Sequence, residues 1–155
     1  MSSGCKSGSS GKLKEKLDAF QVRCREAGLK VTSQRMAVYK VLFETNDHPS
    51  AKMVFHKVRR EFPNISLDTV NRTLLTLNEI GAAFIVEGSG DVKRFDGNLV
   101  QHQHFKCLKC KRIVDLYNAQ FGEIEVPTSL NEFTVLKKTV YFEGICDSCR
   151  KKNQA

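Results

Sequence analysis

The chain has 155 residues, 41% of them hydrophobic, three prolines and a formal net charge of +8, enough for one medium domain or two small ones around a buried core. No apolar run approaches the roughly 20 residues that cross a bilayer, and no apolar leader opens the chain, so no membrane association and a cytoplasmic setting are expected. The surplus of positive charge is six over residues 1–95 and two over residues 96–155, which points to a polyanion, nucleic acid first, as partner of the first half.

In chain order, the Ser/Gly-rich stretch 1–11 is expected to be a disordered tail. Leu13, Leu17, Phe20, Cys24 and Ala27 recur at helical spacing, and Gly28 can close that helix. Thr32 or Ser33 can cap a second helix with Met36, Tyr39 and Phe43 among its apolar positions. Ser50 can cap a third, with Val54, Phe55, Val58 and Phe62 as its stripe and Pro63 as its stop. Ser66 can cap a fourth, with Leu67, Val70, Leu74 and Leu77 inward and Gly81 at its end. AAFIVEG, a Gly-Ser-Gly-Asp turn and VKRFD then read as a β-hairpin. Helices followed by a hairpin predict a winged helix-turn-helix over residues 12–95. Its fourth helix presents Asp68, Thr69, Asn71, Arg72 and Thr76 outward, beside the basic hairpin residues Lys93 and Arg94.

From residue 96 the pattern changes to period two. IVDLY and FTVLKKTVYFEG read as strands, with PTSLNE between them as a short helix started by Pro127. The fold class is therefore α+β, with a small α/β domain over residues 96–155. About 60 residues make a thin core, and a metal or dimerisation would supply the missing stability.

The densest chemistry lies in HQHFKCLKCKRIVD, residues 102–115. In extended chain His102 and His104 share a face and Cys107 has the opposite parity, so the histidines and the cysteines belong to two sites. Cys107 and Cys110, then 35 residues, then Cys146 and Cys149 supply four soft thiolates, the set for closed tetrahedral Zn²⁺. The alternative is two redox-active pairs or plain buried thiols. Cys5 and Cys24 have no partner pattern. The remaining histidines are His48 and His56. His56, among Lys52, Arg59 and Arg60, reads as exposed. His48 precedes Pro49, which favours an extended connector. Asp115 shares a strand face with Ile113 and Tyr117, and Asp96 closes the hairpin; taken singly, each acid is more often a solvated charge. Two imidazoles with carboxylates suit Fe²⁺ or Mn²⁺ better than Cu(I).

T-S-Q-R (32–35), H-P-S-A (48–51), S-L-D-T-V-N-R-T-L (66–74), R-F-D (94–96), H-Q-H (102–104), C-L-K-C (107–110) and C-D-S-C (146–149) together resemble the ferric uptake regulator family of metal-dependent repressors, from about Lys12 to Lys152. The resemblance implies a winged helix, a C-terminal α/β dimerisation domain, and a homodimer on a palindromic double-stranded DNA operator. It implies a regulatory metal, Fe²⁺ or Mn²⁺, on His48, Asp96, His102, His104 and Asp115. It also implies structural Zn²⁺ on Cys107, Cys110, Cys146 and Cys149, and DNA contacts from Arg35, Thr69, Asn71, Arg72 and Lys93. Asn71 departs from the tyrosine usual in that motif. The lysines of K-K-T-V-Y (137–141) stand where iron sensors tend to carry a histidine of an additional metal site. Asp115, in place of glutamate, makes the chain most similar to the peroxide-responsive repressors, in which Fe²⁺ and hydrogen peroxide convert ligand histidines, here His48 and His102, to 2-oxo-histidine. An iron- or zinc-responsive repressor is the alternative within the family. A metal-dependent hydrolase, the alternative outside it, lacks an obvious general base and leaves the helix-hairpin half without a task.

Overall fold

The computed structural model describes residues 9–86 and 92–152, and these fall into two compact units. One runs up to Ile85 and takes in Val92–Leu99; the other holds Val86 and the described residues from Val100 onward. Of the expected tail, residues 9–11 already belong to the first helix, and residues 1–8 lie outside the described residues. So does the expected turn at 88–91.

The first unit is built from α1 (Ser9–Glu26), α2 (Ser33–Glu44), α3 (Ala51–Val58), α4 (Leu67–Glu79) and the two-stranded sheet of β1 (Phe84–Ile85) with β2 (Phe95–Asp96). Three helices begin at hydroxyl caps. The Thr32 side chain accepts from the Arg35 N–H at 3.2 Å, Ser50 from Met53 at 3.4 Å and Ser66 from Thr69 at 3.0 Å. Each hydroxyl satisfies an N–H that has no partner inside its helix. Gly81 ends α4 with φ +69, a left-handed turn that lets the N–H groups of Ala82 and Ala83 return to the Leu77 carbonyl. Arg23 of α1 donates to the Gly81 carbonyl at 2.9 Å, tying the end of α4 to the first helix.

The core gathers Phe20 and Cys24 from α1, Val38, Tyr39 and Leu42 from α2, Val54 and Val58 from α3, Val70, Leu74 and Leu77 from α4, and Phe95 from β2. The rings of Phe20 and Tyr39 stack with centroids 4.1 Å apart. Several expected apolar positions differ, among them Ala27, which follows α1 and is exposed, and Phe55 and Phe62, which are only partly buried. Leu67 is exposed because it is the first residue of α4, a turn ahead of the buried stripe. Phe43 is only partly buried, and α2 turns Ala37, Val38, Tyr39 and Leu42 inward. That helix is apolar on most of its circumference, so periodicity did not select a face. Leu74 is fully buried, and Leu74→Ala is expected to cost about 2–5 kcal/mol of unfolding free energy in urea denaturation.

The two strands expected of the hairpin pair antiparallel, with Phe84 opposite Asp96 and Ile85 opposite Phe95. A Cβ on Gly97 would stand 3.2–3.3 Å from Leu42, so the glycine lets the chain after β2 lie directly on the end of α2. The arrangement of helices and hairpin is a winged helix-turn-helix.

The second unit is a three-stranded sheet in the order β4–β3–β5, from β3 (Gln103–Cys107), β4 (Ile113–Leu116) and β5 (Tyr141–Gly144), followed by the short helix α5 (Asp147–Lys152). β3 runs antiparallel to β4 and parallel to β5. Pro127 precedes a single 3-10 turn, Thr128–Leu130. The strand expected over residues 133–144 is confined to 141–144, and residues 134–140 have no strand partner among the described residues. Alternation marks which side chains could share a face, but a strand also needs a neighbour to take its backbone hydrogen bonds. Phe133, Leu136, Tyr141 and Phe142 are left exposed.

Candidate metal centres

The cysteine cluster follows from strand order. β3 and β5 are parallel neighbours with Cys107 beside Gly144, so each ends at the same side of the sheet and runs directly into a Cys-x-x-Cys turn. Lys111, at φ 63, completes the first turn, and the Cys107 N–H returns to the Arg112 carbonyl at 2.9 Å. The second turn opens α5, which carries Cys149. The four sulfurs lie within 4.8 Å of one another, with Cys110 and Cys146 at 3.7 Å. Sulfurs bound tetrahedrally at about 2.3 Å stand about 3.8 Å apart, so the set is gathered closely enough to hold Zn²⁺. No disulfide joins them.

Backbone N–H groups already prepare this cluster for a cation. Those of Cys146 and Cys110 point at the Cys107 sulfur, at 3.4 and 3.5 Å, and hold its thiol down to about 5. Cys146 is lowered as well, first by the N–H of Cys149, whereas burial pushes Cys149 up to about 12. Buried thiolates without a cation repel one another, and a divalent ion at their centre removes that conflict. The buried cluster of this unit is Cys107, Cys146 and Cys149 with Phe105 against them. Of the other two cysteines, Cys24 is buried in the first unit's core, and Cys5 lies outside the described residues.

The histidines lie elsewhere on the sheet, as their parity requires. His104 of β3 is directly opposite Asp115 of β4. The Nε2 atoms of His102 and His104 are 3.0 Å apart, and each is 3.6 Å from Asp115 Oδ1. The His102 Nδ1–H donates to the Val100 carbonyl at 2.6 Å, which directs Nε2 toward His104. The Tyr117 hydroxyl donates to Asp115 Oδ2 at 3.4 Å, leaving Oδ1 toward the imidazoles. Donors bound at about 2.1 Å lie about 3 Å apart at right angles and about 3.4 Å apart at tetrahedral angles, so these three side chains converge closely enough to share a divalent ion.

In the first unit His48 Nε2 is 3.7 Å from Asp96 Oδ2, and both residues are buried. Asp96 Oδ1 accepts from the Asn98 N–H at 2.8 Å, which orients the carboxylate. His48 is in the connector as expected but is not extended. Its φ is 47, in the left-handed region. His56 is exposed. Arg94, read from the sequence only as a basic hairpin residue, turns out to donate to the carbonyls of Asp47 and His48. The R-F-D motif was the available signal for it.

The expected DNA-contacting residues all lie in the first unit. Arg72 is exposed beside Asp68, 3.7 Å away, and Lys93 is exposed. Asn71 is partly buried. The Thr69 hydroxyl is hydrogen-bonded to that of Ser66, and Arg35 turns its guanidinium to the Lys30 carbonyl. Lys138, one of the two lysines expected to stand in place of a further metal-site histidine, donates to the carbonyls of Gly122 and Ile124. An ammonium group therefore sits where a further cation would be repelled.

A winged helix carried on the same chain as a four-cysteine knuckle and a His/Asp cluster defines the class, a metal-responsive transcription regulator. The model of the ferric uptake regulator family matches residues 26–143. The chain is 30% identical over 141 residues to the peroxide-responsive repressor PerR of Staphylococcus aureus strain Mu50, covering 90% of this chain and 95% of that one. Among solved structures it is similar to the ferric uptake regulator Fur of Helicobacter pylori, described as having three functional metal-binding sites, with TM-score 0.71 and 23% identity over 89% of this chain and 93% of that one. It is similar also to PerR of Streptococcus pyogenes, with TM-score 0.50 and 26% identity over 86% and 92%. The chain belongs to the ferric uptake regulator family. It is a metal-dependent regulator of that family and not an enzyme. Among the described residues no helix is long and apolar enough to cross a membrane.

Proposed function

We propose that the protein is a DNA-binding repressor that senses hydrogen peroxide through oxidation of its own metal-ligand histidines. In this reading His48 and Asp96 from the first unit and His102, His104 and Asp115 from the second bind one regulatory ion, Fe²⁺ or Mn²⁺. Cys107, Cys110, Cys146 and Cys149 hold structural Zn²⁺. Residues 12–95 bind DNA and residues 96–155 dimerise, with exposed Phe133, Leu136, Tyr141 and Phe142 as the apolar surface available to a second copy. The setting is the cytoplasm, where the four thiols stay reduced.

The observation that carries the reading is the His102–His104–Asp115 triangle, with its Nε2 atoms 3.0 Å apart and a single carboxylate oxygen facing both. Five protein donors leave an ion that accepts six with one open position. Bound Fe²⁺ would pass one electron to peroxide and take one back from the oxidised ring, so that one peroxide yields one water and one added oxygen on the imidazole, chemistry Mn²⁺ would not supply. Conversion of His102 to 2-oxo-histidine makes the ring urea-like and draws the Nε2 lone pair into conjugation with the new carbonyl, so the ring ceases to be a ligand. The protein then loses its regulatory ion and, with it, its hold on operator DNA. Asp115 in place of glutamate and the 30% identity to a peroxide-responsive repressor support peroxide as the signal.

The test is peptide mass spectrometry after peroxide treatment of Fe²⁺-loaded and Mn²⁺-loaded protein, paired with a gel shift on operator DNA. One added oxygen on His102 or His48, only with iron and in step with release of DNA, is expected. Oxidation confined to cysteines would refute the reading. Unoxidised histidines with DNA binding that follows Fe²⁺ or Zn²⁺ occupancy would assign the chain to iron or zinc sensing instead.

A further inference from the structure

We propose that Arg94 is a positioning residue for the regulatory metal, gripping the backbone around His48 so that its imidazole is held against Asp96. The inference rests on the reading of His48 as a ligand. Three successive carbonyls are engaged by two successive residues of the hairpin strand. Arg94 donates through Nη2 to Asp47 at 2.8 Å and through Nε to His48, and the Phe95 N–H donates to Pro49 at 3.0 Å. Ser50, which caps α3, forms a β-bridge with Arg94 itself. The next residue of the strand is Asp96, whose Oδ2 faces His48 Nε2 at 3.7 Å. R-F-D therefore supplies the clamp, a core residue and a carboxylate in three consecutive positions.

The clamp is needed because His48 is in a conformation it would otherwise leave. Its φ of 47 lies in the left-handed region, which few non-glycine residues occupy, and the following proline favours an extended backbone there. A connector released from Arg94 would relax toward negative φ and swing the imidazole away from Asp96. Arginine suits the task because its planar fork reaches two adjacent carbonyls at once, whereas a lysine ammonium is a single point donor. Arg94 is not part of the apolar core, so its loss leaves the packing of Val38, Leu42, Leu74 and Leu77 in place.

The sign of the effect separates positioning from electrostatics. A guanidinium near a cation site repels the cation, so removal of its charge alone would tighten metal binding. Loss of positioning weakens it.

The experiment titrates Mn²⁺ into zinc-loaded, full-length wild type, Arg94→Ala and Arg94→Lys. Binding is read by electron paramagnetic resonance of free Mn²⁺, with far-UV circular dichroism and zinc content as folding controls. Arg94→Ala is expected to weaken Mn²⁺ binding by about 10–100-fold, the range for loss of a partner that orients a ligand, with Arg94→Lys between it and wild type. In a His48→Ala background, Arg94→Ala should add little. Affinity unchanged or tighter in Arg94→Ala, a loss in both variants that merely tracks lost helicity, or additive losses in the double variant would each overturn the role. If His48→Ala itself binds Mn²⁺ like wild type, the ligand reading fails, whatever Arg94 does.

Discussion

Cys107→Ser is expected to remove zinc and unfold the second unit while the first stays folded. Cys107 is fully buried, ends β3, and accepts the N–H groups of both Cys110 and Cys146, so it is the point where the two cysteine turns meet. The unit has little else to hold it, since its buried cluster consists of three cysteines with Phe105 packed on them. Structural zinc contributes an apparent 10–16 kcal/mol in small domains, about as much as the whole stability of an ordinary domain. A serine hydroxyl is a poor ligand for zinc, and the three remaining thiols would be left as a crowded cluster. The expected record is zinc content near zero, loss of amide protection over residues 103–107 and 141–144, and retained helical circular dichroism from the first unit. A strong chelator should reproduce it on the wild type. Normal protection in the second unit without zinc would show that the sheet stands by itself.

The second large effect is expected from His104→Ala. His104 is buried, directly opposite Asp115, and its Nε2 lies 3.0 Å from that of His102. Alanine removes a donor from the middle of the triangle and leaves the other two side chains without their common neighbour. Mn²⁺ affinity should fall by more than about 100-fold, beyond the range for disturbing a ligand's support. Metal-dependent enhancement of DNA affinity, worth about 1–3 kcal/mol for a typical allosteric coupling, should vanish. DNA binding without metal should stay as in the wild type. The readouts are Mn²⁺ titration and a gel shift with and without Mn²⁺. His56→Ala, on the exposed side of α3, is the matched control and should change neither metal affinity nor coupling. Metal-dependent DNA binding that survives in His104→Ala would remove the triangle from the regulatory site.

Much of this is legible in the sequence. Hydroxyl caps at Thr32, Ser50 and Ser66 act through the nearest turn of their own helices, so local sequence carries them. The separation of the histidines from the cysteines follows from the period of extended chain, and the thiolate set from two Cys-x-x-Cys turns. What eluded the sequence depends on partners distant along it. The face of α2 was decided by what packs on it. Residues 134–140 alternate like a strand, but none of the described strands pairs with them.

The sequence by itself determined the donor types, the caps and the periodicity, because each is a property of neighbouring residues. Only the tertiary structure decided that His104 pairs with Asp115 in register, that β3 and β5 lie parallel so that both cysteine turns meet, and that Arg94 donates to the His48 carbonyl. Those three facts join residues 11 to 46 positions apart, and no local propensity specifies such a pairing. It is set by which strands and loops find each other when the core closes.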